Sequence, residues 1–476
     1  MHTHLLSAPA FVEEALFGIG LSYGLTSDLK HIMDFRSSSK YDQLVEVSKK
    51  LAHMQGGHNK FLETITLALD ITAPRYWWQE FDTYRVGVTK QSESTIHTIM
   101  ARELTDDDFE GGTFAHFLEE LNAIREGVRA LCGDFPAEYW RKIDEEKGFP
   151  EAFVKAMTDA GWLSAMIPEA YGGSGLGLAE ASVILEEVNR CGGNSGACHG
   201  QMYNMGTLLR HGSQAQKEKY LPRIASGEWR LQSMGVTEPT TGTDTTKIKT
   251  SAVKQGDKYV INGQKVWISR IQHSDFMILL ARTTPLAEVT KKSEGMSIFM
   301  VDLAEAQKSG LTVRPIPNMV NHETNELFFE DLEIPEENLI GEEGKGFKYI
   351  LDGLNAERTL IAAECIGDGY WFMDRVTQYV KDRTVFGRPI GQNQGVQFPI
   401  AETFIELEAA NLMRWKACEL FDRHEAMGAQ ANMAKYLAAK ASWEAANVCL
   451  QFHGGFGFAC EYDVERKFRE TRLYQV

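Results

Sequence analysis

Gly235-Val236-Thr237-Glu238-Pro239-Thr240-Thr241-Gly242-Thr243-Asp244 opens the stretch that decides how this chain is read, and Asn262-Gly263-Gln264-Lys265-Val266-Trp267-Ile268-Ser269-Arg270 closes it. Between them, Ile248 to Val253 and Tyr259 to Ile261 read as strands around a Gln255-Gly256-Asp257 turn, and Asn262-Gly263 is a tight hairpin signal. A loop crowded with threonine hydroxyls and one glycine brings N–H and O–H donors up to a polar ring edge or a phosphate. Trp267, two residues before Ser269, offers a flat face to an aromatic cofactor, or else it is an ordinary core tryptophan on a hairpin.

Outward from this block the hydrophobic period changes twice. Phe276–Ala281, Met296–Val301, Leu311–Val313 and Glu326–Leu332 read as strands of a small β-barrel or stacked sheets. Upstream, from about Ala123 to Gly227, helical patterns dominate, including an acidic helix from Ala179 to Asn189 and an amphipathic one from Gln216 to Ile224. Met202, Met205 and Met234 either line a channel or are plain core. Downstream of Gly341 three long helices are expected, about Gly346–Val380, Gln394–His424 and Gln430–His453, packed as a bundle. Arg383-Thr384-Val385-Phe386-Gly387-Arg388-Pro389-Ile390 separates the first two. Gln451-Phe452-His453-Gly454-Gly455-Phe456-Gly457-Phe458 follows the third, then Glu461, Arg466 and Glu470. Glycines there let backbone approach a pyrophosphate, or form a plain turn. On the first bundle helix Ile350, Leu354, Ile361 and Cys365 make an apolar stripe. Glu357 falls on that stripe, where it is either a desolvated base or half of an ion pair with Arg358 or Arg383.

The block resembles the acyl-CoA dehydrogenase family, with its V-T-E-P-x-x-G-[ST]-D loop and N-G-x-K-x-W-I-[ST] strand; Thr241 and Lys247 depart from it, where the family has small residues. The Q-x-x-G-G-x-G-F-x-x-E-x-x-x-x-R-x-x-x-E pattern from Gln451 to Glu470 is similar to the family's second signature. The resemblance runs from about Ala123 to the end of the chain. It implies an α+β fold: a helical domain over 121–229, a β-barrel flavin domain over 230–340 and a C-terminal helical bundle over 341–476. It implies FAD as cofactor, with Val236, Thr237, Gly242, Thr243, Trp267 and Ser269 at the flavin ring. It also implies that Arg383, Phe386, Gln394, Gln451, Gly454 and Gly455 reach the ADP half of a neighbouring subunit's FAD, so a homo-oligomer (dimer or tetramer) is expected. The reaction implied is dehydrogenation of an acyl-CoA thioester to the 2,3-enoyl-CoA, with electrons passing to an electron-transfer flavoprotein; an oxidase is a near neighbour. Leu354-Asn355-Ala356-Glu357-Arg358 resembles the segment where isovaleryl- and long-chain members keep their catalytic glutamate, which makes Glu357 the base and puts Arg358 at the substrate. The chain stops at Val476, short of the loop that in the family meets the thioester carbonyl, so a flavin-binding protein without turnover is the alternative expectation.

Residues 1–120 carry none of these motifs. His31–Phe35, Tyr41–Val47 and Lys60–Asp70 read as helices, and the stretch around Trp77, Trp78 and Arg85 distantly resembles flavin-dependent thymidylate synthases of the phage type, which suggests two joined genes and an alternative nucleotide-binding role. Gly18-x-Gly20-x-x-x-Gly24 lacks a preceding strand and is not read as a dinucleotide loop. Over the 476 residues the composition is that of a soluble globular protein, 43% hydrophobic and 24% charged. A formal charge of −17 argues against a nucleic-acid partner. No apolar run is long enough to span a bilayer, no signal peptide opens the chain, and seven cysteines without a CxxC read as free thiols. The expectation is a cytoplasmic enzyme with no metal site.

Overall fold

The structure, a computed structural model, describes residues 2–5, 45, 69–72 and 114–476. The chain divides into two units, Met1–Asp108 and Phe109–Val476. In the first, β1 (His2–Leu5) pairs antiparallel with β2 (Leu69–Thr72), His2 facing Thr72 and Leu5 facing Leu69. Leu69 and Asp70 are therefore strand residues rather than the end of a helix from Lys60; the β-branched Ile71-Thr72 that follow them suit a pleated ladder. The helix expected over His31–Phe35, the aromatic stretch around Trp77 and Trp78, and Arg85 lie outside the described residues, as does Tyr41–Val47 apart from Val45.

The second unit opens with helices: α1 (Phe114–Gly133), α2 (Ala137–Glu145), α3 (Glu151–Asp159), α4 (Leu178–Arg190), α5 (His199–His211) and α6 (Gln214–Ala225). Leu121, Ile124 and Val128 of α1 are buried at the three- and four-residue spacing of one helix face. The acidic side of α4 turns inward: Glu186 pairs with Arg125 and with the buried Arg414, and Glu187 pairs with Arg129. Those partners are what make buried carboxylates tolerable. Ser213 and Gln216 form a capping box that starts α6.

The strands follow: β3 (Ser233–Gly235), β4 (Ser251–Gln255), β5 (Lys258–Ser269), β6 (Phe276–Arg282), β7 (Met296–Asp302), then after the short α7 (Leu303–Lys308), β8 (Leu311–Pro315), β9 (Thr324–Pro335) and β10 (Leu339–Ile340). They form one eight-stranded sheet ordered β10-β7-β6-β4-β5-β9-β8, with β3 paired to β6. β6 is buried throughout, and its side chains alternate between two cores. Ile278 and Leu280 join the helical core, whereas Met277 and Leu279 join a second core with Phe299 and Val301. That alternation is the period-two pleat, and it docks the sheet against the helices. The hairpin turn lies at Gln255-Gly256-Asp257. Asn262-Gly263 is not a turn: it sits inside β5, at a register shift against β9 between Ile261 and Gly263. The reason is local, since Gly263 takes φ +150° and a Cβ there would stand 2.6 Å from the Thr250 backbone. Asn262 meanwhile exchanges hydrogen bonds with Asp331, side chain to side chain and to its backbone N–H.

The chain ends in α8 (Gly346–Asp382), a hairpin of β11 (Thr384–Val385) and β12 (Arg388–Pro389), α9 (Gln394–Asp422), α10 (Gly428–His453) and α11 (Val464–Arg472). Phe386 and Gly387 both take positive φ at the hairpin tip, the geometry of a two-residue primed turn. Among the described residues no helix is long and apolar enough to cross a membrane.

Candidate active site

A cavity of about 880 Å³ opens where the end of β5, the loop after β3 and helices α5, α8 and α11 meet. Its first wall is the decisive stretch itself: Val236, Thr237, Gly242, Thr243, Trp267 and Ser269 all line it. Chain-internal bonds hold that wall. The N–H of Val266 donates to the Thr237 carbonyl at 2.9 Å, and Asn321 Nδ2 donates to Ser269 Oγ at 3.0 Å. Behind the wall Lys265, fully buried, donates to the Val236 carbonyl at 2.9 Å and to Glu238 at 3.0 Å. Glu238 also accepts from the N–H groups of Lys249 (2.6 Å) and Thr250 (2.9 Å). Burial pushes the Lys265 ammonium down to about 8, against the pull of Glu238. Burial works the other way on Glu238, but Lys265 and the donors from Thr250 and Lys249 outweigh it and hold the carboxyl below its ordinary value. A second irregularity in β5, between Lys265 and Ile268, carries Trp267 at φ +63° and leaves the residue 59% exposed. An added Cβ on Gly242 would meet nothing within 4 Å.

Leu354, Glu357, Arg358 and Ile361 of α8 form the facing wall. Ile350 and Cys365 of the same stripe are core. Arg358 donates to Asn355 Oδ1 at 2.9 Å, one turn back on its own helix, rather than to the glutamate beside it. Glu357 Oε2 is buried without a hydrogen-bond partner. Its carboxyl is lifted to about 7 by burial, with Arg358 and Lys435 pulling the other way and Glu364 adding to the rise. Met234 lines the cavity, whereas Met202 and Met205 are core.

Several cavity residues carried no sequence signal. Asn194, His199, Tyr203, Gln232 and Arg270 share one end of it. His199 Nδ1 lies 2.6 Å from the buried Glu364 Oε1, and its Nε2 lies 3.5 Å from Arg270 Nη1. The second signature divides in two. Arg466 donates to the Gly192 carbonyl at 3.0 Å and to Glu470 at 2.7 Å, and Lys467 donates to the Gly193 carbonyl at 2.8 Å. These bonds clamp the turn after α4 that leads to Asn194. The remaining motif residues form a separate surface. Arg383, Phe386, Gln394, Gln451, Gly454 and Gly455 are all exposed and none lines the cavity. Tyr379 stacks on His453 with centroids 4.1 Å apart, and the Arg383 guanidinium sits 5.8 Å over Phe456, which joins the end of α8 to the glycines after α10.

Comparison with known proteins follows the same division of the chain. The acyl-CoA dehydrogenase N-terminal domain model matches residues 118–228, the middle domain model 233–332 and the C-terminal domain model 344–476. Cyclohex-1-ene-1-carbonyl-CoA dehydrogenase of Syntrophus aciditrophicus is 36% identical over 372 residues, 76% of this chain and 87% of that protein. A subunit of the caffeyl-CoA reductase–Etf complex of Acetobacterium woodii is 31% identical over 365 residues, 76% of this chain and 95% of that protein. The solved glutaryl-coenzyme A dehydrogenase–glutaryl-CoA complex superposes with TM-score 0.69 at 32% identity, over 75% of this chain and 90% of that one. With all three domain models matched in order across the helices, sheet and bundle that enclose the cavity, the chain belongs to the acyl-CoA dehydrogenase family, oxidoreductases that use FAD to dehydrogenate acyl-CoA.

Proposed function

We propose that this protein oxidises an acyl-CoA thioester to the 2,3-enoyl-CoA, with Glu357 as the base that takes the α-proton. Glu357 carries the reading. The residue lines the cavity, its Oε2 is buried without a hydrogen-bond partner, and burial lifts the carboxyl to about 7. An α-proton beside a thioester carbonyl is too weakly acidic for a solvated carboxylate, so a desolvated base and donors for the developing oxyanion are both needed. FAD, when bound, supplies at flavin N5 the acceptor for the hydride that leaves the β-carbon.

The residues on the first wall fit that cofactor. Gly242 has open space where a Cβ would project, and Trp267 stands at positive φ, exposed rather than packed in the core. We assign Val236, Thr237, Gly242, Thr243, Trp267 and Ser269 to the flavin ring and Arg358 to the substrate. Arg383, Phe386, Gln394, Gln451, Gly454 and Gly455 are assigned to the ADP half of FAD in a second copy. Exposed Phe398, Ile405 and Leu412, seven residues apart along α9, support association of copies. Electrons leave for an electron-transfer flavoprotein, a reading supported by the relative that belongs to an Etf complex. The seven cysteines, all free, support a cytoplasmic setting. Flavin chemistry resides in 121–229, 230–340 and 341–476, with 1–120 as an unrelated segment.

Replacing Glu357 with Gln tests the assignment, because it keeps size and hydrogen bonding but removes the basic oxygen. The variant retains FAD and binds acyl-CoA, yet anaerobic flavin bleaching slows at least ~10²-fold. Bleaching at the parent rate rejects Glu357 as the base. The base works as carboxylate, so the parent's rate falls as pH drops through about 7 and is retained above it; stopped-flow reduction across pH 5.5–8.5, a window of roughly three units around that value, reads this.

A further inference from the structure

The cavity end formed by Asn194, His199, Tyr203, Gln232 and Arg270 is built for something other than a hydrocarbon. Gln232 is 1% exposed, and neither its side-chain oxygen nor its nitrogen has a hydrogen-bond partner. Arg270 is 4% exposed and its Nε is also without a partner. Both line the cavity. Buried polar groups are ordinarily satisfied, and two such side chains facing one open space call for a partner in that space. Arg270 is held there at φ +63°, a backbone region that a long side chain adopts only where its surroundings enforce it.

The neighbouring charges do not satisfy the guanidinium. His199 Nδ1 lies 2.6 Å from the Glu364 carboxyl group, and its Nε2 meets Arg270 Nη1 only at the long distance of 3.5 Å. Glu364 thus meets Arg270 only through an imidazole, and no ion pair is formed by Arg270 among the described residues. Arg270 is nevertheless close enough to Glu357 and Tyr203 to act on both electrostatically, so this polar end adjoins the base.

Resting on the reading of the site as an acyl-CoA pocket, we propose that the acyl group dehydrogenated here carries an oxygen acceptor beyond its β-carbon, which Arg270 and Gln232 bind. A carboxylate matches the guanidinium best, since parallel N–H donors meet its two oxygens, and a carbonyl oxygen is the neutral version of the same contact. An unsubstituted alkyl chain would leave the buried donors unpaired and is disfavoured for that reason.

The test uses the full-length, FAD-loaded protein and CoA thioesters in sets of equal chain length that end in methyl, methyl ketone or carboxylate. The expected result is kcat/KM at least ~10-fold higher for an oxygen-bearing member than for its methyl counterpart, the discrimination of a site built to bind oxygen. Arg270→Met is expected to abolish or reverse that ratio, and Gln232→Leu to reduce it, so the proposal stands or falls even if one variant does not fold. Calorimetric Kd values for non-oxidisable thioether analogues give the same comparison without turnover. Equal or higher kcat/KM for methyl-terminated chains at every length, or a ratio unmoved by both variants, overturns the proposal. Failure of every thioester to bleach the flavin would instead reject the dehydrogenase reading itself.

Discussion

The two clusters of motif residues differ in what satisfies them. The wall around Trp267 is completed from within the chain: Lys265 and Glu238 brace it from behind and Asn321 holds Ser269. The surface around Arg383 and Gly455 is not. Phe386 is 102% exposed at positive φ, and an added Cβ on Gly454 or Gly455 would meet nothing within 4 Å. Gly454, at φ 59° and ψ −136°, is in a region open to glycine alone, so its own backbone explains it. Gly455 has no such reason inside the chain. On the reading proposed above, the first region is a finished site and the second is half of one, and this difference predicts different failures on mutation.

The largest effect is expected behind the finished wall. Lys265→Met leaves Glu238 buried without its cation, which costs about 3–5 kcal/mol of stability. Urea unfolding reads the loss, and adding Glu238→Gln should restore part of it. A loss under about 1 kcal/mol would mean that the two backbone donors suffice, against the usual cost of an orphaned buried charge.

On the unfinished surface Arg383→Glu should release FAD and weaken assembly together, because it sets a carboxylate beside a pyrophosphate. Gel filtration with absorbance at the flavin band follows both, and tight FAD binding by a monomer would overturn the shared-site reading. Gly455→Ala sharpens the comparison further. Its Cβ enters open space and its φ is not positive, so thermal stability of the separated chain should stay within about 0.5 kcal/mol. FAD occupancy of the assembled protein should nevertheless fall; unchanged occupancy would show that nothing approaches this backbone.

The smallest effect is expected from removing residues 1–115, which carry no dehydrogenase motif. FAD content and flavin bleaching should match the full chain. A truncated protein that folds but fails to take up FAD would join the two units functionally.

Much of this was legible in the sequence because it rests on local rules. The three-to-four residue spacing set α8, and the stripe from Ile350 to Cys365 put Glu357 on a buried face. Near-continuous apolar runs set off by Gly- and Pro-containing turns marked β6 and β7 nearly to the residue. Local rules also misled where a long-range contact intervened. Asn262-Gly263 has the composition of a hairpin turn, yet close approach of the Thr250 backbone and pairing with Asp331 make it a bulge in β5. The acidic side of α4 is turned inward by Arg125, Arg129 and Arg414 from other helices, which its own spacing does not encode.

What the tertiary structure alone decided is the electrostatic setting of the site. Whether Glu357 pairs with the arginine beside it depends on where Arg358 turns, and it turns to Asn355. Lys265 is a strut and Arg270 a cavity residue where the backbone is irregular, with a register shift of β5 following Lys265 and a φ of +63° at Arg270 just past the strand, and no periodicity encodes either. His199 lines the cavity and the buried Glu364 backs it from 165 residues further along the chain, and only packing brings the two together. Sequence spacing carries the repeat of a single element, whereas a shifted pKa or an unpaired guanidinium is a property of several elements at once.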